Sequence, residues 1–401
     1  MTGNSVFEAL HANAVDQSEL EDVLSRHFQT SVASSPETLR YPATADFALE
    51  LRYDDGRLVD IVAGSALTHP EVAALQGRIE AELLTATGTA SARVVLFASV
   101  PVTGHFRYRD LFQWVPVPPE APRPSFTMAE HPFLLEFHFR QSANAGIRHL
   151  RRAILERELE LLAAGLLEFT IRGHGRLVDH HWVLMQDDVS APWVSAYRQE
   201  MYIWPDLVLE GGEFTDTTML PHLTAVDPVG YYSRGGIGPD RVLEIPSTLT
   251  DLLDRFLGLP RIERERFLRA CFWYQHAHTV RSRSAAFTSM ISAVEALIPA
   301  VGGAPVCEQC KRPMGVGPTR LFSDFVDELA PDSASFETRR RLYGIRSALS
   351  HGGSLLHSDR RTWSPHMTGE KIEEWEDIGA VWKLVRLVLV NWLAKQRIAP
   401  V

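Results

Sequence analysis

Near residue 240 the spacing of apolar residues changes, and this change limits the folds open to the chain more than any other feature. Before it, short alternating runs dominate. Asp46–Arg52 and Leu58–Ala63 place an apolar side chain at every second position, the period of a strand with one covered face. After it, apolar positions recur every three or four residues. Ile372, Trp375, Ile378, Trp382, Val385, Leu389 and Trp392 fall on one stripe of a helix expected over Gly369–Lys395. One sheet or one bundle cannot satisfy both periods. The expected class is a multidomain α and β protein: an N-terminal α/β or α+β domain over 1–230, a linker at 231–240 carrying Gly235, Gly236, Gly238 and Pro239, and an all-α bundle over 241–401.

In the N-terminal part, helices are expected at Ser18–Phe28, His69–Thr85 and Ala145–Ala164, the last ending at Gly165 as a C-cap. Strands are expected at Ala92–Val102, Pro132–Arg140, Leu166–Arg172, His181–Gln186 and Tyr197–Pro205. In Pro132–Arg140, Leu135, Phe137 and Phe139 take one face, and Glu136, His138 and Arg140 take the polar one. Asp54-Asp55-Gly56 reads as a hairpin turn. Pro116–Pro124, with five prolines in nine residues, can be neither helix nor central strand. In the C-terminal part, helices are expected at Ser247–Leu257, Arg261–His276 (Ile262, Phe267, Leu268 and Phe272 inward), Ser284–Ile298, Thr319–Leu329 and Ser333–Ser350, besides the long last one.

Charge divides unevenly between these parts. The chain carries a formal −10, which argues against nucleic-acid binding over its whole surface. Residues 241–401 nevertheless hold 22 Lys and Arg against 18 Asp and Glu, an excess that either serves a local phosphate site or is chance unevenness over such a length. No secretory signal is visible, and the apolar runs Val94–Val102 and Val385–Ala394 are too short to span a bilayer. Three cysteines make no disulfide framework. A cytoplasmic protein without membrane contact is expected.

The segment Leu342-Tyr343-Gly344-Ile345-Arg346-Ser347-Ala348-Leu349-Ser350-His351-Gly352-Gly353 carries the strongest chemical signal. Arginine is a permanent, bidentate phosphate binder, and histidine moves protons near neutral pH. Together they supply what metal-independent RNA cleavage needs. Five residues at about 100° each leave the two side chains roughly 140° apart on an ideal helix, so unwinding at the glycines or a second copy across a two-fold axis is required. The alternative is structural: Arg346 pairs with Glu295 and His351 caps the helix end.

This segment, with Phe287-Thr-Ser-Met-Ile-Ser-Ala-Val-Glu295-Ala-Leu-Ile before it, resembles the Apea-like HEPN domains over roughly 260–395. The resemblance implies an all-α bundle, homodimerisation and endoribonuclease activity on RNA, as in phage-defence or toxin systems. It makes Arg346 and His351 the catalytic pair, with Ser347, Glu295 and Tyr343 in support. Ser347 stands where such domains often have Asn, Asp or His. A catalytically inactive dimerisation or binding module for RNA, a nucleotide or a protein is the other reading. No cofactor is required for this chemistry.

Cys307-Glu-Gln-Cys310 is half of a zinc knuckle, and a structural zinc there would need a second copy or His357 and His366 to complete it. Otherwise the two are free thiols in a loop. His174, His180 and His181 lie near a turn, where a solvated hairpin accounts for them. No Walker A, GxGxxG, GxSxG or HExxH pattern is present.

Overall fold

A computed structural model of the chain describes residues 17–28, 32–35, 37–41, 49–54, 57–63, 69–84, 88–123, 131–168, 170–172, 182–186, 191–192, 194–199, 202–205, 207–234, 241–299, 317–360 and 369–396. Along the chain come helix α1 (Gln17–Phe28) and strands β1 (Val32–Ser35), β2 (Thr38–Tyr41), β3 (Leu49–Asp54) and β4 (Arg57–Ala63). Helix α2 (His69–Ile79) continues into a wider π turn, Glu80–Leu84. Strands β5 (Thr89–Ala98), β6 (Phe106–Tyr108), β7 (Phe112–Pro116) and β8 (His131–Arg140) precede helix α3 (Ala145–Leu166). Then follow β9 (Ile171–Arg172), β10 (Trp182–Met185), β11 (Val194–Gln199), β12 (Tyr202–Pro205), β13 (Thr224–Val226), the short helix α4 (Pro228–Ser233) and β14 (Glu244–Pro246). The described elements after it are helices: α5 (Leu249–Leu257), α6 (Arg261–Thr279), α7 (Arg283–Glu295), α8 (Pro318–Leu329), α9 (Phe336–Ser350), the single turn α10 (His357–Arg360) and α11 (Gly369–Lys395). The architecture is mixed α and β, with several sheets. Among the described residues no helix is long and apolar enough to cross a membrane.

Two compact units divide the chain. One comprises Met1–Ala92, His138–Glu156 and Glu210–Gly212; the other comprises Arg93–Phe137, Arg157–Leu209 and Glu213–Val401. This division is discontinuous in sequence and differs from the one expected at 231–240.

In the first unit, β1 to β4 form an antiparallel meander. Asp54 pairs with Arg57 at its tight end, as the Asp-Asp-Gly turn predicts, although Asp55 and Gly56 lie outside the described residues. Leu49, Leu51 and Ile61 close over Leu20, Val23 and Leu24 of α1 and Leu75 and Ile79 of α2. The alternation of β3 and the 3–4 spacing of α1 thus meet in one core.

Most of the sheet β6-β7-β8-β5-β9 belongs to the second unit. On the polar face expected of β8, Arg140 is exposed and His138 half-buried, but Glu136 is covered rather than wet. Glu136 is 1% exposed and accepts hydrogen bonds from Gln113 Nε2 (2.7 Å), the Thr215 backbone N (2.7 Å) and Thr215 Oγ1 (2.8 Å). Leu134, on the same face, packs with Val95, Phe97, Val115, Tyr202, Leu207 and Leu209. Burying a carboxylate needs such partners, and Arg93 at 3.2 Å supplies the countercharge. Of the strand expected at Leu166–Arg172 only Ile171–Arg172 is extended, as β9 beside β5, while β10 pairs with β11 and β11 with β12.

The start of the expected linker, Tyr231 and Tyr232, is part of this unit's core, and residues 235–240 lie outside the described residues. Tyr231 and Tyr232 lie in α4, fully and almost fully buried. The Tyr232 hydroxyl donates to Leu166 O (2.7 Å) and that of Tyr231 to Glu244 O (3.2 Å). Each of the two adjacent tyrosines buries a large ring with its hydroxyl satisfied, which ties this segment into the core. Gly165 is likewise no C-cap. It lies inside α3, where an added Cβ would stand 2.3 Å from Cys271 Sγ, so its smallness lets α3 and α6 touch.

Among the C-terminal helices, α11 is the spine. Val381, Leu384, Val385, Val388, Leu389 and Leu393 are all fully buried, and Trp392 stacks on Phe267 of α6 with ring centroids 5.7 Å apart. The first turns of α11 depart from the expectation. Ile372 and Trp375 are 44% and 56% exposed, while Glu374 and Asp377 are buried. Asp377 holds Arg341 at 2.6 Å, and Glu374 accepts the Ser358 backbone N (3.1 Å) and hydroxyl. Ile262 is exposed too, at 51%. Spacing identifies which residues share a stripe, but not how far neighbouring elements reach along it.

Candidate functional site

The segment from Leu342 to Gly353 lies on α9 and its exit. Ser335 starts the helix, its hydroxyl accepting from the Thr338 backbone N (3.1 Å). Arg339, buried, fixes this end against α8: it donates to Ala334 O (3.0 Å) and pairs with Asp327. At the other end His351 is the C-cap residue. Gly352 adopts φ +69°, and the N–H groups of Gly352 and Gly353 return to Leu349 O (3.1 Å) and Ala348 O (2.9 Å). Only glycine enters that left-handed region without strain, so Gly352 sets where the helix stops.

The chain beyond is pinned to the start of α7. Leu356 N donates to Ser284 Oγ (2.8 Å), and Asp359 accepts from Ser282 Oγ (2.8 Å) and from the backbone N–H groups of Arg283 (3.0 Å) and Ser284 (2.6 Å). Burial alone would raise the Asp359 pKa, but these hydrogen bonds hold it below the ordinary carboxylate range. The exit of α9 is therefore anchored on both sides of His351.

Arg346 points to α7. Its Nη2 lies 2.7 Å from Glu295 Oε2, and Tyr343 donates to Glu295 Oε1 at 3.0 Å. Each side chain of the ion pair is 26% exposed, so the guanidinium is oriented yet reachable from solvent. The Tyr343 pKa is raised, by burial first and by the Glu295 charge second, so the phenol stays protonated and serves as a donor. Glu295, Tyr343 and Arg346 thus form one hydrogen-bonded group.

His351 belongs to a different surface. It is exposed and lines a groove of about 480 Å³ with Thr319, Arg340, Tyr343, Gly344, Ser347, Ala348 and Gly353. The structure brings together Arg346, Glu295 and Tyr343 on one side, and His351, Ser347 and Tyr343 on the other. Among the described residues no hydrogen bond joins Arg346 to His351. Their divergence is what a 140° offset on a regular helix dictates. Arg340 was missed by sequence reasoning. It was legible in the spacing, since 340, 344, 347 and 351 follow one another at helical intervals.

A larger cavity, about 530 Å³, lies elsewhere in the same unit, lined by Tyr232, Leu252, Arg255, Lys383 and Leu387 among others, and takes in none of the expected site residues. Cys307, Cys310, His366, His174, His180 and His181 lie outside the described residues. Among the described ones no cluster of His, Cys, Asp and Glu has the makings of a metal site. His357 is buried with Nδ1 3.0 Å from Glu370 Oε2.

Fold and site together define a mixed α and β protein whose helical C-terminal residues present an arginine-carboxylate-tyrosine group beside a groove carrying a histidine. Compared with protein-family models, with curated proteins and with solved structures, the chain matches none.

Proposed function

We propose that the chain is a HEPN-type, metal-independent endoribonuclease that acts as a homodimer through its C-terminal helices. The observation that carries this reading is the surface of α9: an exposed His351 in an open groove with Ser347, beside an Arg346 held at a fixed angle by Glu295 and Tyr343. Within one chain the two groups face apart, so the reading needs a second copy to set the Arg346 of one protomer near the His351 of the other. In the reaction the RNA 2′-oxygen bonds to phosphorus and the bond to the 5′-oxygen breaks. The 2′-hydroxyl proton passes to a neutral His351, and the leaving 5′-oxygen takes a proton from the imidazolium of the paired copy or from water. Arg346 neutralises the charge on the five-coordinate phosphate.

A second reading has one observation in its favour. The Glu295 carboxylate already offsets the Arg346 charge, as in a structural ion pair. That fits an inactive binding or dimerisation module.

The test is cleavage of total cellular RNA by the purified full chain in EDTA. Wild type is expected to cut and to leave 2′,3′-cyclic phosphate ends. His351→Ala and Arg346→Ala are each expected to lose at least about a hundredfold in rate, the scale of a lost proton-transfer group or charge stabiliser. Equal cutting by wild type and His351→Ala would sink the proposal. RNA retained in a gel shift but left intact would establish the binding module instead.

A further inference from the structure

The groove beside His351 runs along α9 rather than across it, and its second charged group is Arg340. Eleven residues separate the two, so on a regular helix they lie within roughly 20° of each other around the axis and about 16 Å apart along it. Arg346 lies off this line. Arg340 is exposed, and among the described residues its guanidinium has no ion pair or hydrogen bond. Between them the lining is Tyr343, which is itself buried, and then the small residues Gly344, Ser347 and Ala348. A Cβ added at Gly344 would meet nothing within 4 Å, so the floor is open at its centre. Thr319, from the first turn of α8, contributes to the wall beside it.

A cation at one end, a titratable imidazole at the other and a shallow floor of small residues between them suit an extended polyanion, not a compact one. A single phosphate cannot reach both ends of a 16 Å line. One stacked nucleic-acid strand carries a phosphate about every 3.4 Å of rise, so several nucleotides fit between them. Resting on the RNA-cleaving reading above, we propose that this face of α9 is a track for single-stranded RNA. The phosphate to be cut lies at His351, and Arg340 grips a phosphate several nucleotides away. Arg340 is then a substrate-binding residue that takes no part in the bond changes, and its contribution depends on substrate length.

The experiment measures binding by the full chain of a fluorescein-labelled octaribonucleotide and of a dinucleotide, over a range of salt, for wild type, Arg340→Gln and Gly344→Leu. Arg340→Gln removes an exposed charge, and Gly344→Leu fills the floor where there is space, so both variants should fold; circular dichroism checks this. The expected result is that Arg340→Gln weakens octanucleotide binding roughly five- to tenfold and lowers its log–log salt slope by about 0.7, the value for one phosphate contact on a single strand. Dinucleotide binding is unchanged by Arg340→Gln, and Gly344→Leu weakens both ligands. The proposal is overturned if Arg340→Gln binds the octanucleotide with wild-type affinity and slope, if both lengths lose equally, or if wild type binds no octanucleotide. Cleavage is scored separately. Length-dependent binding without cutting would leave the track standing and remove the nuclease, whereas cutting with no effect of Arg340→Gln on octanucleotide affinity would do the reverse.

Discussion

Two residues show how one atom decides local structure. Gly165 reads in the sequence as a helix terminator, yet its role is to admit Cys271 Sγ, which would lie 2.3 Å from a Cβ there. Gly165→Ala should therefore destabilise the protein by about 1–3 kcal/mol through overpacking. Adding Cys271→Ala should recover part of that loss, because it removes the sulfur in the way. Urea midpoints of the two variants check this, and a Gly165→Ala protein as stable as wild type would refute the account. Arg346 shows the same dependence on surroundings. The sequence left open whether its partner is a phosphate or Glu295, and in the folded chain the carboxylate lies 2.7 Å away.

At the level of elements, buried polar ties set how helices meet. In the first unit Arg151 of α3 holds Glu19 of α1 through two bonds, 2.9 and 2.7 Å long, and also donates to Leu83 O (3.1 Å) and Gln141 O (3.2 Å). Both side chains are under a tenth exposed. Removing the arginine alone strands a buried carboxylate, so Arg151→Met should cost about 3–5 kcal/mol. The pair Arg151→Met with Glu19→Leu should cost clearly less, and thermal melts of the three proteins compare them. If the double variant melts lower than Arg151→Met, the tie is not electrostatic. The first turns of α11 follow the same logic: Glu374 and Asp377 are drawn inward by Ser358 and Arg341, and Trp375 is left outside with Arg283 over its ring at 5.7 Å.

For the molecule as a whole, the most telling buried group is His278 at the end of α6. Its Nε2 is buried with no partner among the described residues, its Nδ1 meets Thr170 Oγ1 at 3.0 Å, and its ring abuts Trp382 (3.8 Å) and Tyr274 (4.7 Å). Burial, and then the Arg386 charge, push its pKa down to about 3. A histidine held neutral in the fold binds its proton more readily when unfolded. Its stabilising effect is whole above the unfolded value of about 6.5 and is lost as pH falls from there toward 3. Between pH 7.5 and 5 this group should cost on the order of 2 kcal/mol. Urea unfolding followed by tryptophan fluorescence should show a smaller acid loss for His278→Asn than for wild type. Identical losses would mean that His278 is not the group responsible.

Much of this protein follows from sequence alone because it is set by local periodicity. The α1 stripe of Leu20, Val23 and Leu24, the β3–β4 hairpin and the stop of α9 at Gly352 depend on residues close together in the chain, so the pattern suffices. The 140° divergence of Arg346 and His351 was readable in the same way. What the tertiary structure decided depends on residues far apart in sequence. The burial of Glu136 needs Thr215, the burial of Tyr231 and Tyr232 needs Leu166 and Glu244, and the orientation of Arg346 needs Glu295. No local pattern encodes those encounters, because a charge or a ring looks the same in sequence whether water or a distant partner will surround it.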